Sequence, residues 1–242
     1  LRTPLGAALG VLKVRHQRAA ALCRKLHKSC AKLSGAAKLD GTGRLVADDA
    51  AVLGMILRTN GLPRLQQLLL GNNGFGDAGM QALCEGLGRG AAPSLRILGL
   101  YRNNFGPAGA EALASALGRG AMPKIESLNL YHNPIGNQGV AALAAPLRKM
   151  PALSQLFLEN CEIGDEGAAS LVDNLGKDDF KKLKQLWLCD NKITDAGVAK
   201  LLAALNAGGL PKLVKDPYML EDNPASAVAV EAVKHALVKR SQ

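Results

Sequence analysis

The side chains able to do covalent or metal chemistry are few in this sequence, and their spacing matches no known site. The five cysteines are odd in number and fit neither a zinc motif nor a disulfide framework. They are Cys23, Cys30, Cys84, Cys161 and Cys189. We therefore predict free thiols, no metal site and no cofactor. Free thiols and the lack of a visible secretory signal predict an intracellular reducing compartment, either the cytoplasm or an organelle matrix or stroma.

Other reactive side chains also lack partners at a recognisable spacing. His132 follows Tyr131, but no serine, cysteine or carboxylate accompanies it in a catalytic pattern, so we interpret it as a surface histidine. Cys189 has no sequence neighbour that would lower the pKa of its thiol. Gly41-Thr42-Gly43 lacks the Lys-Ser/Thr ending of a phosphate-binding loop. The Asp178-Asp179 pair is expected in a solvated loop, and no catalytic residue is predicted.

The composition of the 242-residue chain limits what kind of core it can build. Hydrophobic residues make up 48% and charged residues 21%, which argues against disorder. There is no apolar run of about 18 residues that would indicate a membrane-spanning helix. Aromatic residues make up only 3%, so Leu, Val, Ile and Ala must fill the core, which suits helices or repeats.

The formal net charge of +10 is concentrated at the N-terminus. Residues 1–39 hold nine Lys or Arg and no Asp or Glu, while the remainder holds 21 basic and 20 acidic residues. The chain begins at Leu1, and its acid-free start, rich in Arg and Ala, resembles the remnant of a transit peptide. An arbitrary chain boundary accounts for this start equally well.

A repeat of about 30 residues occupies most of the chain. Five units of the form LxxLxLxxN start near residues 65, 95, 125, 153 and 183, with Cys161 in the Asn position of the fourth. The spacing of two within LxL predicts a short strand, and the helical spacing that follows predicts a one-faced helix. Neither buries its apolar face alone, so the units must stack. The repeat predicts that Phe75 and Phe105 lie in the core, and that the Asn side chains bond turns of adjacent units.

These units resemble the leucine-rich-repeat family, in particular the long-repeat subclass of ribonuclease inhibitor and the NOD-like receptors. The resemblance implies an α/β solenoid, or horseshoe, with parallel strands on the concave face and helices on the convex face. It also implies a protein-binding role, because most members of the family bind other proteins and are not enzymes.

The two ends depart from the pattern, and we divide the chain accordingly. Residues 1–37 are predicted to form a long, basic, amphipathic N-terminal helix, and residues 38–242 the repeat domain. The segment from Leu39 to Gly43 lacks a strand signature and indicates a partial N-terminal unit. In a degenerate C-terminal unit the first consensus leucine falls on Lys215, and Pro217 predicts an edge strand. A final helix from about Ala225 to Lys239 would close the solenoid.

The residues between the strand leucines are expected to point to the concave face, where the core does not dictate their identity. Four of the eight aromatic residues lie in these positions, including the only Trp, which is typical of a binding surface. The candidate protein-binding residues are Tyr101, Tyr131, Phe157, Trp187, Arg102, His132, Glu159 and Asp190. The alternatives are that a terminal segment covers these aromatic residues or that they only pack on one another.

The N-terminal segment has apolar residues at alternating spacings of four and three from Leu5 to Leu33, with a helix start at Thr3-Pro4 and a stop at Ser34-Gly35. Its candidate contact residues are Arg15, Arg18, Arg24, Lys25 and Lys28. The apolar stripe could cap the first repeat, dock on a partner protein, or lie on an anionic membrane surface or RNA. Nucleic acid is the weakest of these because the segment has no aromatic residue for base stacking.

These features together predict a non-catalytic protein-interaction scaffold or accessory subunit of a larger assembly. Its partners would be proteins bound through the concave face and the N-terminal helix, and no small-molecule substrate is expected. The alternative is a GTPase activator, because Ran GTPase-activating proteins share the repeat subclass that these units resemble. The acidic C-terminal tract of that family is missing here, and no catalytic-loop pattern matches.

Overall fold

The computed structural model describes residues 17–216 and 218–240, and these form one parallel sheet with helices between successive strands. The strands are β1 (Lys38–Asp40), β2 (Gln67–Leu69), β3 (Ile97–Gly99), β4 (Ser127–Asn129), β5 (Gln155–Phe157) and β6 (Gln185–Trp187). They pair in chain order, so each repeat contributes one strand beside the strand of the previous repeat. The predicted α/β solenoid of stacked strand–helix units is therefore confirmed.

Each strand leads into a helix that packs on the helix of the neighbouring unit. The helices are α1 (residues 17–25), α2 (Cys30–Ser34), α3 (Ala47–Arg58), α4 (Gly76–Glu85), α5 (Pro107–Gly118), α6 (Gly136–Arg148), α7 (Asp165–Val172), α8 (Asp195–Asn206) and α9 (Ala227–Lys239). Neighbouring strands need about 4.8 Å of width, whereas packed helices need about 8–10 Å. A stack of such units must therefore curve with the sheet on the inside, which makes the sheet the concave face. Among the described helices, none is both long and apolar enough to cross a membrane.

The core runs without interruption between the sheet and the helices. The leucines of the LxL motif are buried in every unit, as are the apolar helix residues opposite them. Phe75 and Phe105 are also buried in the core, as their repeat positions predict. Because neighbouring units share this core, no unit has a complete core of its own.

The repeated Asn forms a ladder of hydrogen bonds along the strand exits, as the sequence indicates. The Asn103 side chain donates from Nδ2 to the carbonyls of Leu70 (2.9 Å) and Leu100 (2.8 Å). Its own amide donates to Asn133 Oδ1 at 2.9 Å, which links it to the next unit. At the fourth position the Cys161 thiol donates weakly to the Leu130 carbonyl across 3.4 Å.

A second ladder, which the sequence analysis missed, joins the helix starts on the convex side. The Asp165 carboxylate at the start of α7 accepts from the amides of Thr194 (2.8 Å) and Gly197 (3.0 Å) at the start of α8. Asp77, Asn137 and Asp195 make the same kind of contact with the helix of the following unit. Each of these side chains therefore caps the helix of the following unit. A search for capping residues next to that helix in the sequence cannot find them.

The N-terminal unit is more complete than predicted. The segment that lacks the strand signature forms β1, which pairs with β2 in register from Lys38 opposite Gln67. Helix α3 then follows with 12 residues, and the Val46 amide donates to Asp49 Oδ2 at its start. Pairing with β2 supplies the strand conformation that the local sequence does not specify.

The predicted continuous N-terminal helix is wrong within the described residues, because α1 ends at residue 25. The Lys28 amide donates to the Cys23 carbonyl and the His27 amide to the Arg24 carbonyl, with His27 at φ 51°. This is a Schellman ending with a non-glycine residue in the left-handed position. Ser29 then caps the separate short helix α2. The part of the predicted helix before residue 17 lies outside the described residues.

The described part of this segment packs on the first repeat. Leu22 (0% exposed), Cys23, Leu26 and Leu33 belong to the same buried cluster as the repeat leucines. Lys25 Nζ lies 2.5 Å from Asp49 Oδ2 of helix α3. Among the three burial sites considered for the stripe, residues 17–34 thus use the first repeat itself. The stripe predicted from heptad spacing did not include Leu22.

The C-terminal unit differs from the prediction in its alignment. The buried Leu213, rather than Lys215, takes the position of Leu183, because the Val214 amide donates to the Lys184 carbonyl as the repeat requires. The amides of Leu188 and Asp190 then donate to the carbonyls of Met219 and Glu221. The unit thus has extra residues, and within the described part of the chain it has no strand, so β6 is the last strand. Pro217 lies outside the described residues.

The prediction that Asp179 is solvated is wrong, because this residue is only 5% exposed. It accepts from Lys149 Nζ at 2.6 Å and from the Gly176 amide at 3.0 Å. The Lys149 hydrogen bond holds the pKa of Asp179 below its usual range. The neighbouring Asp178 is exposed, as predicted.

Candidate protein-binding face

The sheet register brings the predicted concave residues side by side. The residues between the two strand leucines lie directly opposite one another from unit to unit, in the order Asp40, Leu69, Gly99, Asn129, Phe157 and Trp187. Two positions further along, a second column runs through Gly71, Tyr101, Tyr131, Glu159 and Cys189. These two columns form the surface that we call the concave site.

The four aromatic residues of the concave site form two pairs. Tyr101 and Tyr131 stack with their ring centroids 5.0 Å apart and their planes 13° from parallel. Phe157 and Trp187 meet edge to face, with centroids 4.9 Å apart at 77°. All four side chains are partly exposed. They do pack on one another, as one alternative held, but no described segment buries them.

Gly71 allows the tyrosine stack to form. A Cβ at position 71 would lie 2.3 Å from Tyr101 Cζ, closer than any real contact. The Tyr101 ring therefore lies directly over the backbone of Gly71. Any other residue at this position would force the ring away from its place beside Tyr131.

The strand-exit column beside these residues has an unusual backbone. Arg102, His132 and Asp190 have φ of 51°, 55° and 55°, in the left-handed region. Asn72 and Asn160 in the same column share this conformation, which Asn, Asp and His adopt more readily than Arg does. The Arg102 guanidinium carbon lies 5.6 Å from the Tyr131 ring centroid, and the His132 ring meets Tyr131 edge-on at 5.0 Å. Arg102 and His132 thus pack beside the tyrosine pair.

Trp187 has a polar partner that sequence reasoning missed. Its Nε1 donates to Asp216 Oδ2 at 2.7 Å, which fixes the ring at the last strand. Asp216 lies in the stretch of the C-terminal unit with extra residues, so the repeat pattern gave no signal for it. This contact holds Trp187 in place while its ring stays partly exposed.

Glu159 is a carboxylate of the concave site whose ionisation is disfavoured by its surroundings. Its Oε2 atom is closed off from solvent and has no hydrogen-bond partner among the described residues. Burial raises the pKa of Glu159 to about 7, and the charge of Asp190 adds to this effect. Burial without an opposite charge nearby disfavours the ionised form of a carboxyl group.

Cys189 and His132, the two side chains of this surface that could do chemistry, form no catalytic arrangement. Burial, followed by the charges of Glu159 and Asp190, raises the pKa of the Cys189 thiol to about 12. The thiol is therefore protonated near neutral pH and a poor nucleophile. His132 is exposed, and its ring packs on Tyr131. Within the described residues, no three His, Cys, Asp or Glu side chains are grouped as a metal site requires.

Sequence reasoning also missed a third column on this face, which begins each strand. It runs through Lys38, Gln67, Ile97, Ser127, Gln155 and Gln185. Gln155 Nε2 donates to Gln185 Oε1 across the two strands. Side chains two residues apart on a strand point to the same face, so counting two residues back from the first column would have found this one.

The candidate basic contacts of the N-terminal segment are in different situations. Arg18 and Arg24 are exposed on α1, and Lys28 follows it half-buried. Lys25 is already paired with Asp49 inside the molecule. Arg15 lies outside the described residues.

Comparison with known proteins agrees with this architecture. A family model described as "Leucine Rich repeat" matches residues 63–84, 91–114, 121–144 and 152–172. Each matched range holds one strand and most or all of the following helix. The chain is a leucine-rich-repeat protein. Its assignment to the ribonuclease-inhibitor-like subclass stays a prediction.

Other comparisons of this leucine-rich-repeat protein show less. No curated protein matches the sequence significantly. Among solved structures, a chain of the Rad7 and Elc1 complex from yeast is similar at 12% identity and a TM-score of 0.31. That alignment covers 94% of this chain and 81% of the yeast chain. At this TM-score the similarity carries no information about function.

Proposed function

We propose that this leucine-rich-repeat protein is a non-catalytic interaction scaffold or accessory subunit that binds a protein partner through the concave site. The observation that carries the proposal is the pair of aromatic contacts formed by Tyr101 with Tyr131 and by Phe157 with Trp187. The core does not require these side chains, and they remain partly exposed on a sheet face. Exposed aromatic residues supply large contact area at protein interfaces, and replacing one such anchor typically costs roughly 2 kcal/mol or more of binding energy.

The scaffold provides rigidity for this role. Each aromatic residue is positioned by a strand whose register is set by neighbouring strands and by the Asn ladder. A preordered surface loses less conformational entropy when it binds. The exposed Arg18 and Arg24 would provide the second, basic contact of the proposed subunit.

The proposal is tested by quantitative co-purification from the native source with the full chain as bait. We expect the Tyr131→Ala/Phe157→Ala variant to lose a stoichiometric partner that the wild-type chain retains. The matched control, Glu166→Ala/Lys200→Ala, changes exposed residues of the helix side and is expected to retain it. An unchanged partner set with the aromatic variant would contradict the proposal.

A GTP hydrolysis assay separates this proposal from the GTPase-activator alternative. Candidate small GTPases are measured with and without the full chain. We expect no acceleration, since the proposed role is binding alone. A catalytic increase in the hydrolysis rate at substoichiometric protein would instead support the activator.

A further inference from the structure

The concave site changes its charge along the solenoid. Toward the N-terminal side, the strand-exit columns carry Arg102 and His132 beside the tyrosine pair. Toward the C-terminal side, the exposed Lys215 aligns with Gln185, but the other charged residues beside Phe157 and Trp187 are acidic. They are Glu159, Asp190, Asp216, Glu221 and Asp222.

These acidic residues have no cationic partner in the described part of the chain. The ion pairs of that part lie elsewhere, and none includes any of the five carboxylates. The formal charge of +10 comes almost entirely from residues 1–39, and the rest of the chain is nearly neutral, so this surface is a local excess of negative charge. Long-range attraction therefore does not bring cations to the molecule as a whole, and any preference for them must come from this surface.

From this juxtaposition we propose that the C-terminal half of the concave site, around Phe157, Trp187, Glu159 and Asp190, binds an arginine- or lysine-bearing extended segment of a protein partner. The inference deepens the proposed function of the concave site and rests on it. The aromatic pair would contact the stem or the guanidinium plane of the incoming side chain. The carboxylates would pair with its charge.

The environment of Glu159 favours a cationic occupant over a neutral one. Its Oε2 atom is covered by the protein and lacks a hydrogen bond, so ionisation is costly in the free protein. A neutral segment laid over the surface would remove more water from the carboxylates and raise that cost. A cation offsets it, because an opposite charge nearby favours the ionised form.

The acidic residues belong to neighbouring repeat units rather than to one loop. Asp190 follows β6, and its amide donates to the Glu221 carbonyl of the last unit at 3.0 Å. Glu159 follows β5, and its carbonyl accepts from the His132 amide at 2.9 Å. The acidic surface thus extends across three units, which suits a segment running across the strands better than a single ion.

The proposal is tested with the full chain and capped synthetic peptides. The probe is (Arg-Ser)4, with (Gln-Ser)4 and (Glu-Ser)4 as controls. The only tryptophan, Trp187, lies in the surface, so its fluorescence reports binding directly. We expect a saturable change with (Arg-Ser)4, weakened by added salt, and none with the two controls.

Charge-neutralising variants assign the binding to this surface. We expect Glu159→Gln/Asp190→Asn to weaken (Arg-Ser)4 binding at least tenfold. The matched control Glu166→Gln/Glu231→Gln removes the same two charges from exposed helix positions and is expected to bind as the wild type does. Equal affinity of both variants, or no saturable signal with (Arg-Ser)4, would overturn the proposal. Preferential binding of (Glu-Ser)4 would also overturn it.

Two further outcomes distinguish this inference from related ones. The wild type could self-associate in sedimentation velocity, and Glu159→Gln/Asp190→Asn could abolish this association. That result would place a second copy of the chain on the surface and overturn the proposal that a separate protein binds there. A native partner lost with Tyr131→Ala/Phe157→Ala but fully retained by Glu159→Gln/Asp190→Asn would overturn the inference and leave the proposed function standing.

Discussion

Single residues decide the geometry of the concave site, and Gly71 shows how. The residue looks like an ordinary member of its column in the sequence, yet the Tyr101 ring occupies the space of its missing side chain. The stack with Tyr131, and so the shape offered to a partner, depends on that missing Cβ.

Replacing Gly71 by Ala is expected to displace the Tyr101 ring and to break its stack with Tyr131. The near-UV circular dichroism of the tyrosines should change, and stability should fall by about 1 kcal/mol, the usual value of an aromatic pair. Gly99→Ala is the control, because its Cβ would meet the flexible end of Leu69 at 3.3 Å and would lie at an ordinary contact distance of 3.8 Å from Tyr101 Cε1. Unchanged near-UV spectra for Gly71→Ala would show that the ring does not depend on this position.

Glu159 predicts a pH dependence of stability with a definite sign. Its pKa is about 7 in the folded protein against 4.5 for the ordinary side chain, so folding favours the protonated form. The contribution to stability is therefore present at low pH and is lost as the pH rises from about 4.5 through 7. We expect Glu159→Gln to be more stable than the wild type at pH 8, by about 1 kcal/mol because partial exposure screens the effect.

Urea unfolding at pH 4 and pH 8 checks this prediction, since the difference between variant and wild type should disappear at pH 4. Glu166→Gln on the exposed start of α7 serves as the control for removing one charge. A Glu159→Gln variant that is less stable at pH 8 would show that the carboxylate has a stabilising partner.

At the scale of elements, α1 acts as part of the N-terminal cap of the solenoid. Leu22 and Leu26 cover the core of the first repeat, and Lys25 pairs with Asp49 of α3. Without such a cap the first unit would expose a hydrophobic end, as terminal units of solenoids otherwise do. The exposed Arg18 and Arg24 remain available for a second contact.

Leu22→Ala is expected to lower the free energy of unfolding by about 2–4 kcal/mol, because it opens a cavity in a fully buried place. Arg24→Ala, on the exposed side of the same helix, should change it by less than about 0.5 kcal/mol. Chemical denaturation followed by far-UV circular dichroism measures both. Equal, small effects would show that α1 is not part of the folded core in solution.

On the scale of the whole molecule, the two ends of the solenoid are closed unequally. The N-terminal end has a paired strand, a 12-residue helix and the cap. The last unit has no strand among its described residues, and α9 buries only Val233 and Leu237, leaving Val228 81% exposed. Stability should therefore decrease toward the C-terminal end.

Native-state amide exchange is expected to show this gradient. The amides of α9 should exchange at least about 100-fold faster than those of α5, a helix with six buried residues in the middle of the stack. The comparison is internal to one protein, so each helix is measured under identical conditions. Uniform protection along the solenoid would mean that the last unit is as firmly held as the centre.

The sequence by itself determined the repeat architecture of this protein, because a spacing of two for strands and of 3.6 for helices follows from local backbone geometry. The strand-exit Asn ladder, the buried phenylalanines and the aromatic columns of the concave face followed from the same repeat. The repeat did not reveal contacts between units that involve residues outside its consensus Leu and Asn positions. The hydrogen bond from Trp187 to Asp216, the caps that Asp165 and its equivalents provide, and the burial of Asp179 are of this kind.

Only the tertiary structure decided what happens at the two ends. Leu39 forms a strand because β2 offers a partner, and Leu213 takes the consensus position because its neighbour bonds the previous unit. The helix break after Lys25 depends on the left-handed His27, a conformation that sequence spacing does not signal. In each case a contact with the neighbouring unit, or a residue with a left-handed backbone, outweighs the local sequence pattern. The end units depart from the repeat because they have a stacking partner on one side only.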